Sequence, residues 1–238
     1  MGDFSAITTI TFDCYGTLVD WESGLLSILR PLAGGAGRPP GDDELLAAFA
    51  RIERRIEAGP YLAYRNVLAL VMRELTAEFD VPVSAHHYDT LALSLPRWPA
   101  FPDSAPGLRR LRLRYRVGIL SNIDDDLLRK TCDNNAFETD WAVTAQQVRS
   151  YKPAPAHFTA ALTRHHLRPD QVLHVASSIG HDIAPASALG IPTVHLHRRA
   201  GRSGPGANGP GEATPTHTVP DFAGLFALLD LPPRESAA

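Results

Sequence analysis

The sequence of 238 residues predicts an α/β fold, in which a doubly wound (Rossmann-like) parallel sheet core carries an inserted α-helical cap domain. Residues 7–12 form an apolar, β-branched run that is typical of a buried parallel strand. Residues 20–97 then show helical patterns without a convincing strand, and from residue 101 onward strands and helices alternate. We therefore assign residues 1–19 and 98–238 to the core domain and residues 20–97 to the cap domain.

The cap is predicted to contain four helices. A connector over residues 34–41 is rich in Gly and Pro, which indicates a flexible loop. Asp42 and Asp43 follow it, and acidic side chains are favoured at a helix N-terminus by the helix dipole. The predicted cap helices cover residues 24–32, 42–58, 61–79 and 85–93.

The core resumes after the cap with four further strands and the helices between them. Residues 198–218 are rich in Gly, Pro, Arg and Thr and predict a mobile loop near the end of the chain. The predicted strands cover residues 116–120, 141–144, 172–176 and 192–196. The predicted helices cover residues 108–115, 124–134, 155–166, 182–189 and 222–229.

Composition narrows the classes of protein to consider. An apolar share of 44% is sufficient for a packed core, whereas a net charge of -3 argues against nucleic acid or an anionic membrane as a partner. No stretch approaches the roughly 18 apolar residues of a membrane span. The N-terminal MGDFSAITTI lacks the features of a signal peptide, and there are two cysteines, Cys14 and Cys132, so we expect a cytoplasmic protein.

Polar residues follow three of the predicted strands. Because the carboxyl ends of parallel strands converge on one crevice, we expect these side chains to lie close together. The residues concerned are Asp13, Ser121, Asn122, Ser177 and Ser178, with Lys152 in a loop between the second and third of these strands and Asp182 after the third.

The same residues also have purely structural interpretations. Asp13 and Asp182 could each cap a helix, where an acidic residue is favoured. Lys152 could be an exposed turn lysine, and Ser177 and Ser178 could be turn residues. Convergence of the whole set favours a catalytic site over these separate explanations.

The motifs together resemble those of the haloacid dehalogenase superfamily. They are Asp-x-Tyr-Gly-Thr-Leu at residues 13–18, Ser-Asn at 121–122, Lys-Pro at 152–153 and Ser-Ser-x-x-x-Asp at 177–182. The resemblance covers the chain apart from the cap and the C-terminal loop, and it implies that Asp13 is a nucleophile.

Two departures indicate which branch of the superfamily the chain resembles. Phosphatases of this superfamily carry an acid two residues after the nucleophile, where this chain has Tyr15, and a metal-binding acid where this chain has Ser177. At both positions the chain resembles the type II L-2-haloacid dehalogenase-like group, whose members use no metal. The resemblance implies a hydrolase that displaces halide from short 2-haloalkanoic acids through an aspartyl ester on Asp13, without metal or cofactor.

The resemblance also implies roles for individual residues. Asp13 attacks C2, Lys152 stabilises the Asp13 charge, and Thr17 and Ser177 orient it by hydrogen bonds. Asp182 positions the water that cleaves the ester. The resemblance implies that Ser121 holds the substrate carboxylate and that Asn122 and a cap arginine also bind the substrate. Tyr15 and His181 are further candidates for substrate binding.

The leaving-group side of the site departs from the dehalogenases. Phe158 and Ile179 replace a tyrosine and an asparagine of that group, and His181 stands before Asp182. The arginine that binds halide has several candidates, of which Arg51 is the first choice and Arg65 the second. A histidine in the pocket suggests fluoride as a leaving ion.

Two other functions remain open. The chain could be a phosphatase-like hydrolase of the same fold, which Tyr15 and Ser177 argue against. It could also be a non-catalytic homologue that binds a small acid, which the intact Asp13, Lys152 and Asp182 argue against. The expected partner is a small-molecule 2-haloacid, and the resemblance implies a homodimer as the assembly to test.

Overall fold

Six parallel strands form the centre of the molecule. The computed structural model describes residues 4–34, 39–199 and 212–231. The strands are β1 (Thr9–Phe12), β2 (Arg116–Ser121), β3 (Trp141–Thr144), β4 (Val172–Ala176), β5 (Thr193–Leu196) and β6 (His217–Val219). They pair in the order β3-β2-β1-β4-β5-β6. The predicted doubly wound α/β sheet with flanking helices is therefore confirmed.

Strand β1 lies at the point where the strand order reverses. All four of its residues are buried, and it pairs with β2 on one side and β4 on the other. Phe12 is in register with Ile119 and Val175, so the strands end at nearly the same level. A crevice at such a reversal is where open α/β sheets place their ligands.

The described residues between 21 and 97 form helices and loops without a strand, in agreement with the expected helical block. We retain the division into cap and core domains as a proposal. The α-helices here are α1 (Trp21–Ala33), α2 (Asp42–Glu57), α3 (Tyr64–Glu78) and α4 (Thr90–Ser94), with 3₁₀ turns at Ala85–Asp89 and Leu95–Arg97.

Helix α2 has an acidic residue next to its buried apolar face. Its buried positions include Leu45, Leu46, Phe49 and Ile52, which recur at helical spacing, and it packs against α3. The adjoining Glu53 is buried as well. An acidic residue on the buried face of a helix requires a partner or a function, because burying an isolated charge is costly.

The remaining helices complete the core. They are α5 (Ser104–Leu111), α6 (Asp125–Asn135), α7 (Ala145–Val148), α8 (Ala156–Arg164), α9 (Ala184–Ala188) and α10 (Phe222–Leu228), with a π-helical turn at Ile179–Ile183. Helix α5 begins and ends four residues earlier than the predicted helix at 108–115, because Ser104 donates from Oγ to the carbonyl of Leu18 and anchors its start. None of the helices in the described ranges is both long enough and apolar enough to cross a membrane.

The predicted mobile loop at residues 198–218 needs correction at its end. Residues His217–Val219 form β6, which pairs in parallel with β5 from Val194↔His217 to Leu196↔Val219. A three-residue edge strand with polar positions carries too little hydrophobic pattern to be recognised. Residues 200–211 of that loop, and residues 35–38 of the predicted connector, lie outside the described part of the chain.

Candidate active site

Asp13 begins the loop that follows β1. Its backbone N–H donates to the carbonyl of Val175, and its carboxylate Oδ2 accepts a hydrogen bond of 2.9 Å from Thr17 Oγ1. Gly16 permits this return of the chain because its φ of 91° is accessible to glycine with little strain. Thr17 Oγ1 also accepts from the backbone N–H of Ser177 at 3.0 Å, so β1 and β4 both position the nucleophile candidate.

Lys152 lies between two carboxylates. Its Nζ donates to Asp13 Oδ1 at 2.9 Å, to Asp182 Oδ1 at 2.6 Å and to the Leu120 carbonyl at 2.8 Å. The side chain is only 2% exposed. Burial alone would lower the pKa of Lys152, but Asp13 and Asp182 raise it above its ordinary value. The ammonium is therefore a fixed positive charge with all three donors occupied.

Asp182 is held by a second partner that the sequence did not reveal. His174 Nε2 lies 3.1 Å from Asp182 Oδ1, and His174 Nδ1 lies 2.9 Å from Thr11 Oγ1, its register partner on β1. Burial favours a raised pKa for Asp182, but Lys152 and His174 hold the pKa below its usual range. The only sequence signal for His174 is a polar residue inside an otherwise apolar strand.

Asp13 differs from Asp182 in its electrostatics. Burial raises the pKa of Asp13, and the Lys152 charge and the Thr17 hydroxyl oppose that rise. A buried carboxylate of this kind is poorly solvated and held in one orientation. Both features favour its use as a nucleophile.

Ser121 and Asn122 follow β2 and play different parts. The Ser121 side chain is 1% exposed, and its Oγ has no hydrogen-bond partner within the described residues. The Asn122 amide instead binds the backbone of Lys152, since Nδ2 donates to its carbonyl at 3.1 Å and Oδ1 accepts from its N–H at 2.7 Å. Asn122 thus positions the lysine, and Ser121 offers an unused hydroxyl.

One cavity brings most of the predicted site residues together. Its lining includes Asp13, Tyr15, Ser121, Asn122, Lys152, His181 and Asp182. Thr17 and Ser177 do not line it and act through Asp13. Tyr15 Oη lies 2.7 Å from Thr131 Oγ1, and burial raises the pKa of Tyr15 well above its ordinary value, so its phenol is neutral in the range where enzymes work.

His181 lies at the rim of this cavity. Its backbone N–H donates to Ser178 Oγ at 3.2 Å, and burial lowers the pKa of its imidazole, which is consequently neutral near pH 7. Phe158, which stands where the dehalogenases carry a tyrosine, packs its ring edge-on against His174 with 4.9 Å between ring centroids.

The prediction that Arg51 binds substrate does not agree with the structure. Its side chain is 58% exposed, and it donates to Glu78 Oε1 at 2.7 Å on the outer face of α2. Arg65, the second choice, pairs with Asp124 and Asp126 and also lies outside the cavity. Among the described residues, no arginine lines the cavity that contains Asp13.

Several residues outside the set predicted to form the site also line the cavity. Trp21, at the start of α1, is one of them. Glu53 and Glu57 from α2 and Tyr64 from α3 line it as well. Their helical spacing was visible, but spacing alone does not distinguish a cavity from solvent.

The two buried acids of the site share one cation, the Lys152 ammonium. Asp13 and Asp182 both direct an oxygen at Lys152 Nζ, so a fixed ammonium stands between the two acids. A second cation there would be repelled by that charge. Within the described ranges, no group of three His, Cys, Asp or Glu side chains is arranged to hold a metal ion.

Comparison with known proteins identifies the family of this chain without reference to the geometry of the site. Residues 7–190 match the family model described as haloacid dehalogenase-like hydrolase. The chain is 25% identical over 202 residues to (S)-2-haloacid dehalogenase 1 of Pseudomonas sp. (strain CBS-3), covering 81% of this chain and 85% of that protein. It is 24% identical over 204 residues to (S)-2-haloacid dehalogenase 4A of Burkholderia cepacia, covering 82% and 84%.

A solved structure shares the fold. The L-2-haloacid dehalogenase of Xanthobacter autotrophicus superposes with a TM-score of 0.78 at 21% identity, covering 94% of this chain and 98% of that one. At this identity the likeness concerns the fold.

Proposed function

The chain belongs to the haloacid dehalogenase-like hydrolases, and from that premise we propose that it is a hydrolytic dehalogenase of short (S)-2-haloalkanoic acids. The observation that carries the proposal is the arrangement of Asp13, Lys152 and Asp182, in which one buried ammonium bonds both carboxylates. The (S)-2-haloacid dehalogenases described above support the substrate class.

In the first step the Asp13 carboxylate attacks C2 of the substrate from the side opposite the halide. The carbon–halide bond breaks, the halide takes the electron pair, and an ester forms with inversion at C2. The positive charge of Lys152 and the hydroxyl of Thr17 keep Asp13 ionised and oriented. Ser121 Oγ, which has no partner among the described residues, would donate to the substrate carboxylate.

In the second step water attacks the carboxyl carbon of Asp13 and the ester C–O bond breaks. The 2-hydroxy acid leaves with one proton of the water on its new hydroxyl, and the other proton passes to solvent. Lys152 and His174 both bond Oδ1 of Asp182. Because Oδ2 takes part in neither bond, we assign it the role of orienting this water. A strongly depressed pKa makes Asp182 a weak base, so we assign it an orienting role more than proton removal.

Independence from metal is part of the proposal. The Lys152 ammonium supplies the positive charge between Asp13 and Asp182. Tyr15 is bonded to Thr131, and burial raises the pKa of its phenol well above the ordinary value, so it is too weak an acid to replace the carboxyl group with which a phosphatase protonates an alcohol.

Halide release tests the proposal. Purified enzyme is given L-2-chloropropionate and chloroacetate with a chelator present, and halide is measured. We expect turnover in chelator that is abolished by Asp13→Asn and retained by the control Asp170→Asn, whose side chain is exposed on the surface. Absence of halide release, together with magnesium-dependent hydrolysis of a phosphate ester, would identify a phosphatase and reject the proposal.

We also propose that the enzyme is a cytoplasmic homodimer. The two cysteines support a reducing compartment, because Cys14 and Cys132 are free thiols in the structure. Light scattering after size-exclusion chromatography tests the assembly, and a monomer mass at micromolar concentration would contradict it.

A further inference from the structure

The cap presents acids to the nucleophile. Glu53 and Glu57 lie one turn apart on α2, and both line the cavity that contains Asp13. Glu53 is 7% exposed. The described residues that line this cavity include no arginine, and Arg54 lines an adjoining cavity that shares Glu57, Lys152 and His181 with it.

Glu53 has polar or charged neighbours on α3, on α2 and across the cavity. Tyr64 Oη on α3 donates to Glu53 Oε1 at 2.5 Å. Arg54 and Glu57 are its charged neighbours on α2. The titratable and charged groups that face it across the cavity from the sheet are Asp13, Tyr15, Lys152, His181 and Asp182.

This environment favours the protonated form of Glu53. Burial raises its pKa to about 7, against the opposing effects of the Tyr64 hydrogen bond and the Arg54 charge. The pKa of Glu57 is raised well above its ordinary value by burial and by the Glu53 charge. Below about pH 7 the cap therefore offers protonated carboxyl groups, which donate hydrogen bonds.

A second donor lies in the same cavity. Trp21 is 7% exposed, and its Nε1 has no hydrogen-bond partner within the described residues. The indole is held edge-on against Phe49 with 5.3 Å between ring centroids. A buried N–H without a partner costs stability, so its presence in a cavity points to a ligand that accepts its hydrogen bond.

Resting on the proposed function, we propose that Glu53 donates a hydrogen bond to the ion that Asp13 displaces, and that Trp21 Nε1 donates a second hydrogen bond to it. This arrangement favours small, basic leaving ions, with fluoride preferred over chloride. A guanidinium would attract every halide by charge. A neutral acid instead stabilises most the leaving ion that accepts a hydrogen bond most strongly.

The step is balanced without a further reactant. The Asp13 carboxylate forms the bond to C2 as the carbon–fluorine bond breaks, and the electron pair goes to fluoride. The Glu53 O–H donates a hydrogen bond to that fluoride and keeps its proton, because hydrogen fluoride is a stronger acid than Glu53. Hydrolysis of the ester then yields the 2-hydroxy acid and restores Asp13.

The test compares fluoroacetate with chloroacetate over pH 5 to 9, using wild type, Glu53→Gln and the control Glu78→Gln, which alters an exposed cap acid. We expect Glu53→Gln, whose amide N–H is a weaker donor than a carboxyl O–H, to lower fluoride release about tenfold and chloride release less than about threefold. In wild type, fluoride release should decline as pH rises through about 7, where Glu53 loses its proton, and this limb should vanish in Glu53→Gln.

Two further variants keep the test decisive if Glu53→Gln does not fold. Tyr64→Phe removes a hydrogen bond that lowers the pKa of Glu53, so the alkaline limb should move to higher pH. Trp21→Phe keeps the ring but removes the N–H, and it should lower fluoride release more than chloride release.

Equal losses on both substrates, or an alkaline limb unchanged by these variants, would overturn the inference. A gain on both substrates in Glu53→Gln would also overturn it, since that result means that an ionised acid repels the leaving ion. If wild type releases chloride but no fluoride, only this inference fails. If wild type releases neither halide, the proposed function fails with it.

Discussion

Replacing Lys152 by methionine removes the charge that joins two buried acids while nearly preserving side-chain volume. In the native protein the ammonium bonds Asp13 and Asp182 at 2.9 and 2.6 Å, and its side chain is 2% exposed. Breaking a buried ion pair on one side costs roughly 3–5 kcal/mol, because the partner charge stays buried. We expect the free energy of unfolding to fall by about that amount near pH 8.

The loss should depend on pH. In wild type the pKa of Asp182 lies below its ordinary value of 3.8, so its contribution to stability is present above that pH and is lost as pH falls through the folded-state pKa. In Lys152→Met burial raises the carboxyl pKa values. The penalty is then complete above these raised values and diminishes as pH falls and a proton replaces the ammonium.

Urea unfolding followed by far-UV circular dichroism at several pH values measures this effect. Lys130→Met is the matched control, because Lys130 is 55% exposed and pairs with Asp126 four residues earlier on α6. We expect a change of about 0.3–0.5 kcal/mol for the control. A loss below about 1 kcal/mol for Lys152→Met, or a loss independent of pH, would refute the electrostatic account of the site.

Three further predictions concern residues around the site. Thr17→Val removes the hydroxyl that bonds Asp13 at 2.9 Å, and it should lower single-turnover halide release about 100-fold; a loss below about threefold would contradict its orienting role. Arg51→Gln should leave kcat/KM within about twofold in steady-state assays, because Arg51 lies outside the cavity. Asp124→Asn should cost about 1–3 kcal/mol in urea unfolding and accelerate hydrogen exchange at residues 64 and 65, whose backbone N–H groups donate to Asp124; unchanged exchange would contradict this.

The core of the site could be predicted because it follows from sheet topology. Strand β1 is apolar and β-branched, and its end carries Asp13. The other polar residues follow strands that pair with β1, so their convergence is a consequence of the parallel order.

The cap side of the site could not be predicted in the same way. Arg51 and Glu53 are two residues apart on α2, which separates them by roughly 200° around the helix, so only one of them can face the cavity. The buried face at Leu45, Phe49 and Ile52 places Glu53 at its border. The spacing of apolar residues does not show whether the edge of the buried face of α2 is exposed to solvent or lines a cavity.

His174 was missed for a different reason. Its strand neighbours are apolar, so the segment is recognised only as a buried strand. The bond from His174 to Asp182 depends on how β4 and the following turn fold back on each other, which short motifs do not describe.

Isotope labelling of Asp13 tests the central claim most directly. The enzyme is allowed many turnovers of L-2-chloropropionate in water enriched in ¹⁸O, and the peptide containing Asp13 is then analysed by mass spectrometry. An ester on Asp13 that water cleaves at the carboxyl carbon predicts that ¹⁸O accumulates in that carboxylate, while the first turnover yields product with unlabelled oxygen. Unlabelled Asp13, with ¹⁸O in the product of the first turnover, would contradict the account because water would then attack C2 directly.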